Sequence, residues 1–311
     1  MINDLIFKEL IKRGYSLEGN TRVWNIADSK LWYLTKEQAQ AFLDLEQAKD
    51  YQKNVIQKEI DLIELNITNV LKEVGNKPIN IIDLGCGDGK KAVLFIKYLG
   101  DKARIRYCPI DISNYMIEKA IENIRALNVG EVVEFQWNVS DFENLGNIAS
   151  LLRRGKFKHN FILLLGNTLG NFEINELLYA VRSSMSDGDF LLIGNGLDNR
   201  KRDEILSAYA DNLLDDLLSK TLEQIGIKKE DLEYSVRFRN SRVEMFYTIK
   251  RDFSIAFLGK KVDFAKGDQI IVATSYKYDE ERFRSYMKLY FDDVKVYTTK
   301  DKSYALALCR K

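Results

Sequence analysis

The sequence predicts a doubly wound α/β domain, a parallel sheet with helices on both faces, joined to a second, smaller α+β domain. Three observations predict it. From residue 79 to about 196, short apolar strands alternate with helical stretches, the pattern of a parallel sheet. The first of these strands runs into a glycine-rich loop that opens a helix, a unit that begins many such sheets. After residue 197 the alternation stops, and strand-like runs follow one another at hairpin spacing, too close for crossover helices.

Taken in order, the first 75 residues read as helical. Ile56, Ile60, Ile63, Ile67, Val70 and Val74 step by threes and fours and so share one helix face. Gly75-Asn76 and Pro78 supply its stop. Residues 24–51 mix aromatics with charge and read as helix or loop. The strand Ile79-Asn-Ile-Ile-Asp-Leu84 ends at Gly85-Cys86-Gly87-Asp88-Gly89, and a helix follows with Val93, Ile96 and Leu99 on one stripe and Gly100 as its stop. Strands at 104–111, 132–137, 161–165 and 190–193 then alternate with helices at 115–127 and 173–185. A polar helical stretch at 200–225 leads to strands at 234–239, 243–250, 253–257 and 269–276, and a hairpin at 294–298 and 304–309 closes the chain. The expected division is therefore 1–75 as the helical part of the smaller domain, 76–196 with 290–311 as the cofactor domain, and 197–289 as an insertion completing the smaller one.

Composition narrows the chemistry. The chain has 311 residues, 46% of them hydrophobic, enough to bury a substantial core. Its 47 Lys+Arg balance 46 Asp+Glu, which argues against nucleic acid as an obligatory partner. Apolar runs such as Phe161 to Leu165 are far short of the ~18 residues of a membrane span. The charged start MINDLIFKELIKRG is unlike a secretory signal, so a soluble cytoplasmic protein is expected. Three scattered cysteines and one histidine, His159, offer neither a disulfide framework nor a metal site. Catalysis is left to carboxylates, amides, hydroxyls and backbone.

Glycine spacing decides what the loop can hold. A P-loop needs four residues between its glycines and a Ser or Thr after Lys; three separate Gly85 from Gly89, and Lys90 precedes Lys91-Ala92. The dinucleotide fingerprint needs a third glycine at position 90, which is Lys. What remains is Gly-x-Gly-x-Gly after Asp83, which resembles the first motif of class I S-adenosylmethionine-dependent methyltransferases. Alone it is weak, since a glycine turn often holds nothing. Asp111, ending the next strand, can accept both ribose hydroxyls; its bland role would be a helix N-cap, which Ser113 or Asn114 can fill instead. Asp141-Phe142 follows the third strand, where the carboxylate can take the adenine amino group and the ring can flank the base, although a turn residue plus one buried aromatic explains the pair equally well. Three such features at the carboxyl ends of three strands point to one ligand edge.

A closer resemblance lies beyond the fourth strand. Gly166-Asn-Thr-Leu-Gly-Asn171-Phe172 resembles the Gly-Ser-Thr-Ile-Gly-Asn-Phe segment of the histidine-specific N-α-methyltransferases, the family that makes trimethylhistidine for ergothioneine. Asp83–Lys91, Tyr107–Ser113, Ser140-Asp141-Phe142, Ala208-Tyr209-Ala210-Asp211, Val243-Glu244-Met245 and Gly267–Ile270 match further family segments in order, from about residue 30 to 311. The resemblance implies a Rossmann-like class I methyltransferase core, S-adenosylmethionine as cofactor, and a small-molecule amine held between core and lid. It places Tyr33, Gly85, Gly87, Lys91, Asp111, Asp141 and Phe142 at the cofactor. It places Gly166, Asn171, Tyr209 and Ser275 at the substrate, with Asn171 orienting the acceptor amine through its carbonyl.

The departures concern specificity. Leu34 and Lys36 stand where the family has Pro and Arg, and the family's second substrate tyrosine has only Tyr51 near its spacing. The family's Thr-Glu-x-Ser-x-Lys reads Val272-Ala273-Thr274-Ser275-Tyr276-Lys277 here, so the acid that grips imidazole has become Ala273, unless Asp268 or Glu244 folds into its place. Main-chain recognition of an amino acid is kept and side-chain recognition is changed. A protein or peptide amine as acceptor, and a non-catalytic cofactor-binding subunit, remain open beside the small-molecule reading; the glycine spacing sets a nicotinamide oxidoreductase behind both.

Histidine is accordingly expected to be a poor acceptor. A charge-assisted contact to its ring N–H is worth roughly 1.5–3 kcal/mol, and a site lacking the partner leaves that group unpaired. In a panel of the twenty amino acids and common amines, histidine should rank well below the best acceptor in kcat/KM; comparable values would overturn the expectation.

Overall fold

The computed structural model describes residues 3–48, 56–128, 130–140 and 142–311. The chain opens with helix Asp4–Arg13 (α1), capped by the Asn3 side chain. A hairpin of β1 (Tyr15–Glu18) and β2 (Thr21–Asn25) follows, where the sequence reading expects helix. Its signal is local: Glu18 pairs with Thr21 across a two-residue Gly19-Asn20 turn, with Gly19 at φ +60, a left-handed place that glycine takes freely. Helix Lys36–Gln47 (α2) comes next.

Helix Gln57–Val74 (α3) confirms the apolar stripe. It leads to β3 (Ile79–Leu84), helix Lys90–Leu99 (α4), β4 (Ile105–Ile110), helix Asn114–Arg125 (α5) and β5 (Glu131–Val132). The expected strand at 132–137 is cut short, because the backbone turns into a 3-10 turn at Gln136–Asn138. Helix Leu145–Leu152 (α6), β6 (His159–Leu164), helix Ile174–Ser184 (α7) and β7 (Phe190–Gly196) complete the alternation.

The next stretch holds helices Arg202–Ser207 (α8) and Asn212–Glu223 (α9). Strands β8 (Leu232–Arg239), β9 (Arg242–Ile249), β10 (Phe253–Phe257), β11 (Lys260–Phe264) and β12 (Gln269–Tyr276) follow. Helix Glu280–Tyr290 (α10) precedes the closing hairpin of β13 (Asp293–Thr298) and β14 (Tyr304–Arg310).

The chain divides into two units, residues 46–199 with 278–311 and residues 1–45 with 200–277. These bounds differ from the expected ones at two helices, each for a packing reason. The stripe of α3, with Leu62, Ile63, Ile67, Val70 and Leu71, enters the core of the larger unit. In α10 the buried Phe283 and Met287 lie on one face, and Arg182 of α7 donates to the Tyr290 carbonyl at its end.

The larger unit is built on a seven-stranded sheet of order β13-β14-β7-β6-β3-β4-β5. Strands β3 to β7 run parallel in it and the β13–β14 hairpin is antiparallel at one edge. Every residue of β3 is buried, as a central parallel strand covered on both faces requires. Strands β4 and β5 extend the sheet to one side of β3, and β6 and β7 to the other, so the order reverses between β3 and β6. Loops at such a reversal splay apart and leave a crevice beyond the carboxyl ends.

The smaller unit has a five-stranded sheet, β1-β2-β12-β9-β8, antiparallel except where β12 runs beside β2, and a separate β10–β11 hairpin. One face packs Trp24, Trp32, Met245, Tyr247, Ile270 and Val272 into a core with Leu218 and Leu222 of α9.

Candidate active site

The loop after β3 turns on three glycines with positive φ, Gly85, Gly87 and Gly89. A Cβ on Gly89 would stand 3.1 Å from Ala120 of α5, so this glycine lets two helices approach. A Cβ on Gly87 would meet nothing within 4 Å: that side of the loop is open for a ligand to come close. Several of the loop's backbone donors are already engaged. Gly85 and Cys86 donate to the Ile110 carbonyl, Gly89 to Cys86, Gly87 to the Asp111 carboxylate and Lys90 to that of Asp88. The open side at Gly87 offers close approach to the backbone, which suits a flat or hydroxylated ligand.

Asp111 stands at the end of β4, 9% exposed. One carboxylate oxygen accepts the Ser113 N–H at 2.9 Å and the other the Gly87 N–H at 3.2 Å. Ser113 makes no side-chain cap of its own, so Asp111 also helps start α5. Each oxygen keeps a second lone pair, enough for a diol. Burial pushes its carboxyl up to about 6 against the pull of those N–H groups. Asp83 lies beneath the loop, takes the Tyr107 hydroxyl at 2.8 Å and is pushed by burial to about 7. It is a buttress.

Phe142 flanks the same edge. Its ring lies 5.2 Å from that of Phe172, and a Cβ on Gly85 would touch Phe142 at 4.0 Å and Thr168 Oγ1 at 3.4 Å. Asp141, expected to take the adenine amino group, and Tyr51 lie outside the described residues.

The segment after β6 separates its two asparagines. Asn167 is left-handed, at φ +61, and its side-chain oxygen accepts the Gly196 N–H; it is the turn residue. Asn171 ends the 3-10 turn Thr168–Asn171 with an ordinary φ, is half-buried, and its amide makes no hydrogen bond among the described residues. A half-buried amide left uncommitted by the fold is available to a ligand.

The sequence reading missed Glu59. It sits on α3 four residues before Ile63, on the buried stripe, and is 1% exposed. Its oxygens accept the Gly166 N–H at 2.9 and 3.1 Å, and Lys91 Nζ lies 3.1 Å away. Burial alone would lower the Lys91 ammonium, but Glu59 and Glu46 outweigh it and hold it above its usual range. An acid interrupting an apolar stripe was the available signal.

In the smaller unit, Tyr209 Oη and Ser275 Oγ are 3.0 Å apart, Lys277 Nζ donates to Ser275 at 2.9 Å, and the ammonium lies 4.9 Å from the Tyr209 ring centre. Two hydroxyls and an ammonium converge there, a donor set suited to a carboxylate. Tyr33, after the 3-10 turn Ser29–Trp32, is half-buried with its ring edge-on to Phe42 at 5.2 Å. Ala273 follows a register shift in β12 and is fully buried in the apolar core. Neither candidate acid replaces the missing one: Glu244 is bound by Arg237 and Arg242, and Asp268 by Arg22.

The Asp111 geometry gives a pH signature. Ionised, the carboxylate can accept ligand hydroxyls; protonated, it loses acceptor capacity. Because burial raises its folded-state value to about 6, cofactor affinity should be full above that pH and fall, at most about tenfold per unit, as pH drops through it. Calorimetry with S-adenosylhomocysteine should show this fall in the wild type, and weaker binding without it between pH 5 and 7 in Asp111→Asn. A variant that matched the wild type at every pH would remove Asp111 from the site.

Comparisons with known proteins bear on the family. The chain matches the family model of the histidine-specific methyltransferases, SAM-dependent, over residues 29–311. The N-methyltransferase fsqC of Aspergillus fumigatus is 25% identical over 134 residues, which are 42% of this chain and 36% of that protein, so the match spans about a third of the relative's length. Among solved structures, an S-adenosylmethionine-dependent methyltransferase from Clostridium acetobutylicum aligns over 87% of this chain and 98% of its own, with 14% identity and a TM-score of 0.46. CalS10, a SAM-bound amino pentose methyltransferase from Micromonospora echinaspora, aligns over 81% and 91%, with 8% identity and a TM-score of 0.38. With a family model covering nearly the whole length, the chain belongs to the histidine-specific, S-adenosylmethionine-dependent methyltransferase family.

Proposed function

We propose that this protein transfers a methyl group from S-adenosylmethionine to the amine of a small, carboxylate-bearing acceptor, an amino acid or a close analogue, other than histidine. The observation that carries it is the uncommitted amide of Asn171 beside the glycine loop's neighbouring strand end. Its carbonyl would accept an amine N–H and turn the nitrogen lone pair outward. Gly166 has already given its N–H to Glu59, which leaves its carbonyl as a second acceptor for the same amine. The amine must be neutral to attack, and placement in a closed, dry site supplies most of the rate.

S-adenosylmethionine supplies an electrophilic methyl on a sulfonium. The residues fit it: Asp111 would take the ribose hydroxyls, the open side of Gly87 and the face of Phe142 would admit the adenosine, and the Lys91 ammonium would hold the amino-acid carboxylate. Gly85 is required by its φ of +64 and is assigned to the cofactor edge, Asp141 is assigned the adenine amino group, and Tyr33 the closing aromatic. Tyr209 is assigned the acceptor carboxylate and Ser275 the acceptor side chain, and the clustering of both with Lys277 supports a polar acceptor there. The loss of the family's imidazole acid at Ala273, with Glu244 and Asp268 tied to arginines, supports a different side chain.

Asn171→Ala should lower kcat by roughly a hundredfold, the scale of one lost orienting contact at a reacting amine. The dissociation constant for S-adenosylhomocysteine should stay within about twofold. Loss of cofactor binding together with turnover would make Asn171 structural and overturn its assignment.

A further inference from the structure

The carboxylate of Glu59 stands where a sheet protein has no structural need of one. It is 1% exposed, on the core-facing side of α3, and two glycines make room for its cluster. A Cβ on Gly194 of β7 would run into its Oε1, and a Cβ on Gly166 would stand 2.7 Å from Lys91 Nζ. Gly194 has no positive φ to explain it; an alanine would satisfy the backbone, and the nearest atom it would meet is Glu59 Oε1, ahead of the Tyr304 hydroxyl at 3.1 Å and Leu306 Cδ2 at 3.2 Å. A buried ion pair is weak as a source of stability, since apolar residues of like size do as well. Keeping one at the strand-order reversal, with a glycine inside β7 leaving space for its carboxylate, points to function.

We propose that Glu59 is a positioning residue for cofactor binding: it keeps the buried Lys91 side chain charged and fixes its ammonium, beside Gly166, for the carboxylate of S-adenosylmethionine. This rests on the assignment of Lys91 to the cofactor. The acids facing Lys91 are Glu59, Glu46 and Asp83, and of these Glu59 alone is within ion-pair distance among the described residues. Lys91 has three N–H donors; Glu59 occupies one direction, and the others are left for a ligand. Without Glu59, the ammonium would lose its nearest charge partner against the pull of burial and would release its proton at lower pH.

The test compares two ligands by calorimetry: S-adenosylhomocysteine, which carries the amino-acid tail, and 5′-methylthioadenosine, which lacks it. Glu59→Gln should weaken the first about tenfold at pH 7 and further by pH 9.5, while the wild type stays flat over that range, and should leave the second within about twofold. In a Lys91→Met background, Glu59→Gln should add nothing. Equal weakening of both ligands, a flat pH profile in Glu59→Gln, or additive losses in the double variant would overturn the proposal. If Lys91→Met itself leaves S-adenosylhomocysteine binding unchanged, the assignment of Lys91 is what fails. Should Glu59→Gln not fold, Gly194→Ala, which displaces the carboxylate with its charge intact, is read in the same way: selective loss of the tailed ligand supports the proposal and equal loss overturns it.

Discussion

The register of β3 with its two neighbours sets the position of everything at the ligand edge. Leu84 pairs with Ile110 of β4, and Asp83 with Leu163 of β6, so the three strands stop at one level. Gly85, Asp111 and the loop at Gly166 therefore begin side by side, at the point where strand order reverses. A one-residue slip of any strand would carry Asp111 or Gly166 to the wrong level and reverse its side-chain direction. Burial of β3 on both faces prevents that slip, so the apolar core and the ligand edge are fixed by the same ladder.

Charge at that edge has a consistent sense. Asp83, Asp111 and Glu59 are all below 10% exposed, and the cation held among them is Lys91. Buried acids in excess of cations repel a nucleotide's phosphates and favour a ligand with positive charge at its centre. A sulfonium flanked by an ammonium fits this better than any phosphorylated cofactor.

Much of this was legible in the sequence, for physical reasons. The parallel sheet announces itself because buried strands are continuous apolar runs, and the glycine loop because its φ values exclude other residues. Asn171 was legible only through the family segment; the geometry then divided the labour between it and Asn167, which no spacing rule could do. The hairpin at 15–25 escaped because its strand β1 is mostly exposed and carries no apolar face, although Gly19-Asn20 marks the turn. Glu59 escaped because periodicity counts apolar positions and treats an acid among them as an interruption. The domain boundary fell 30 residues from the helix stop at Gly75, since α3 is amphipathic toward a sheet that lies later in the chain.

The most direct test of the account is to supply methyl-labelled S-adenosylmethionine with a panel of free amino acids and their decarboxylated amines, and to locate the label in the product by mass fragmentation. The account predicts label on the α-nitrogen of an amino acid other than histidine, and little transfer to the matching amine that lacks the carboxylate. Label on a side chain or on a protein acceptor, or equal transfer to amines without a carboxylate, would contradict it.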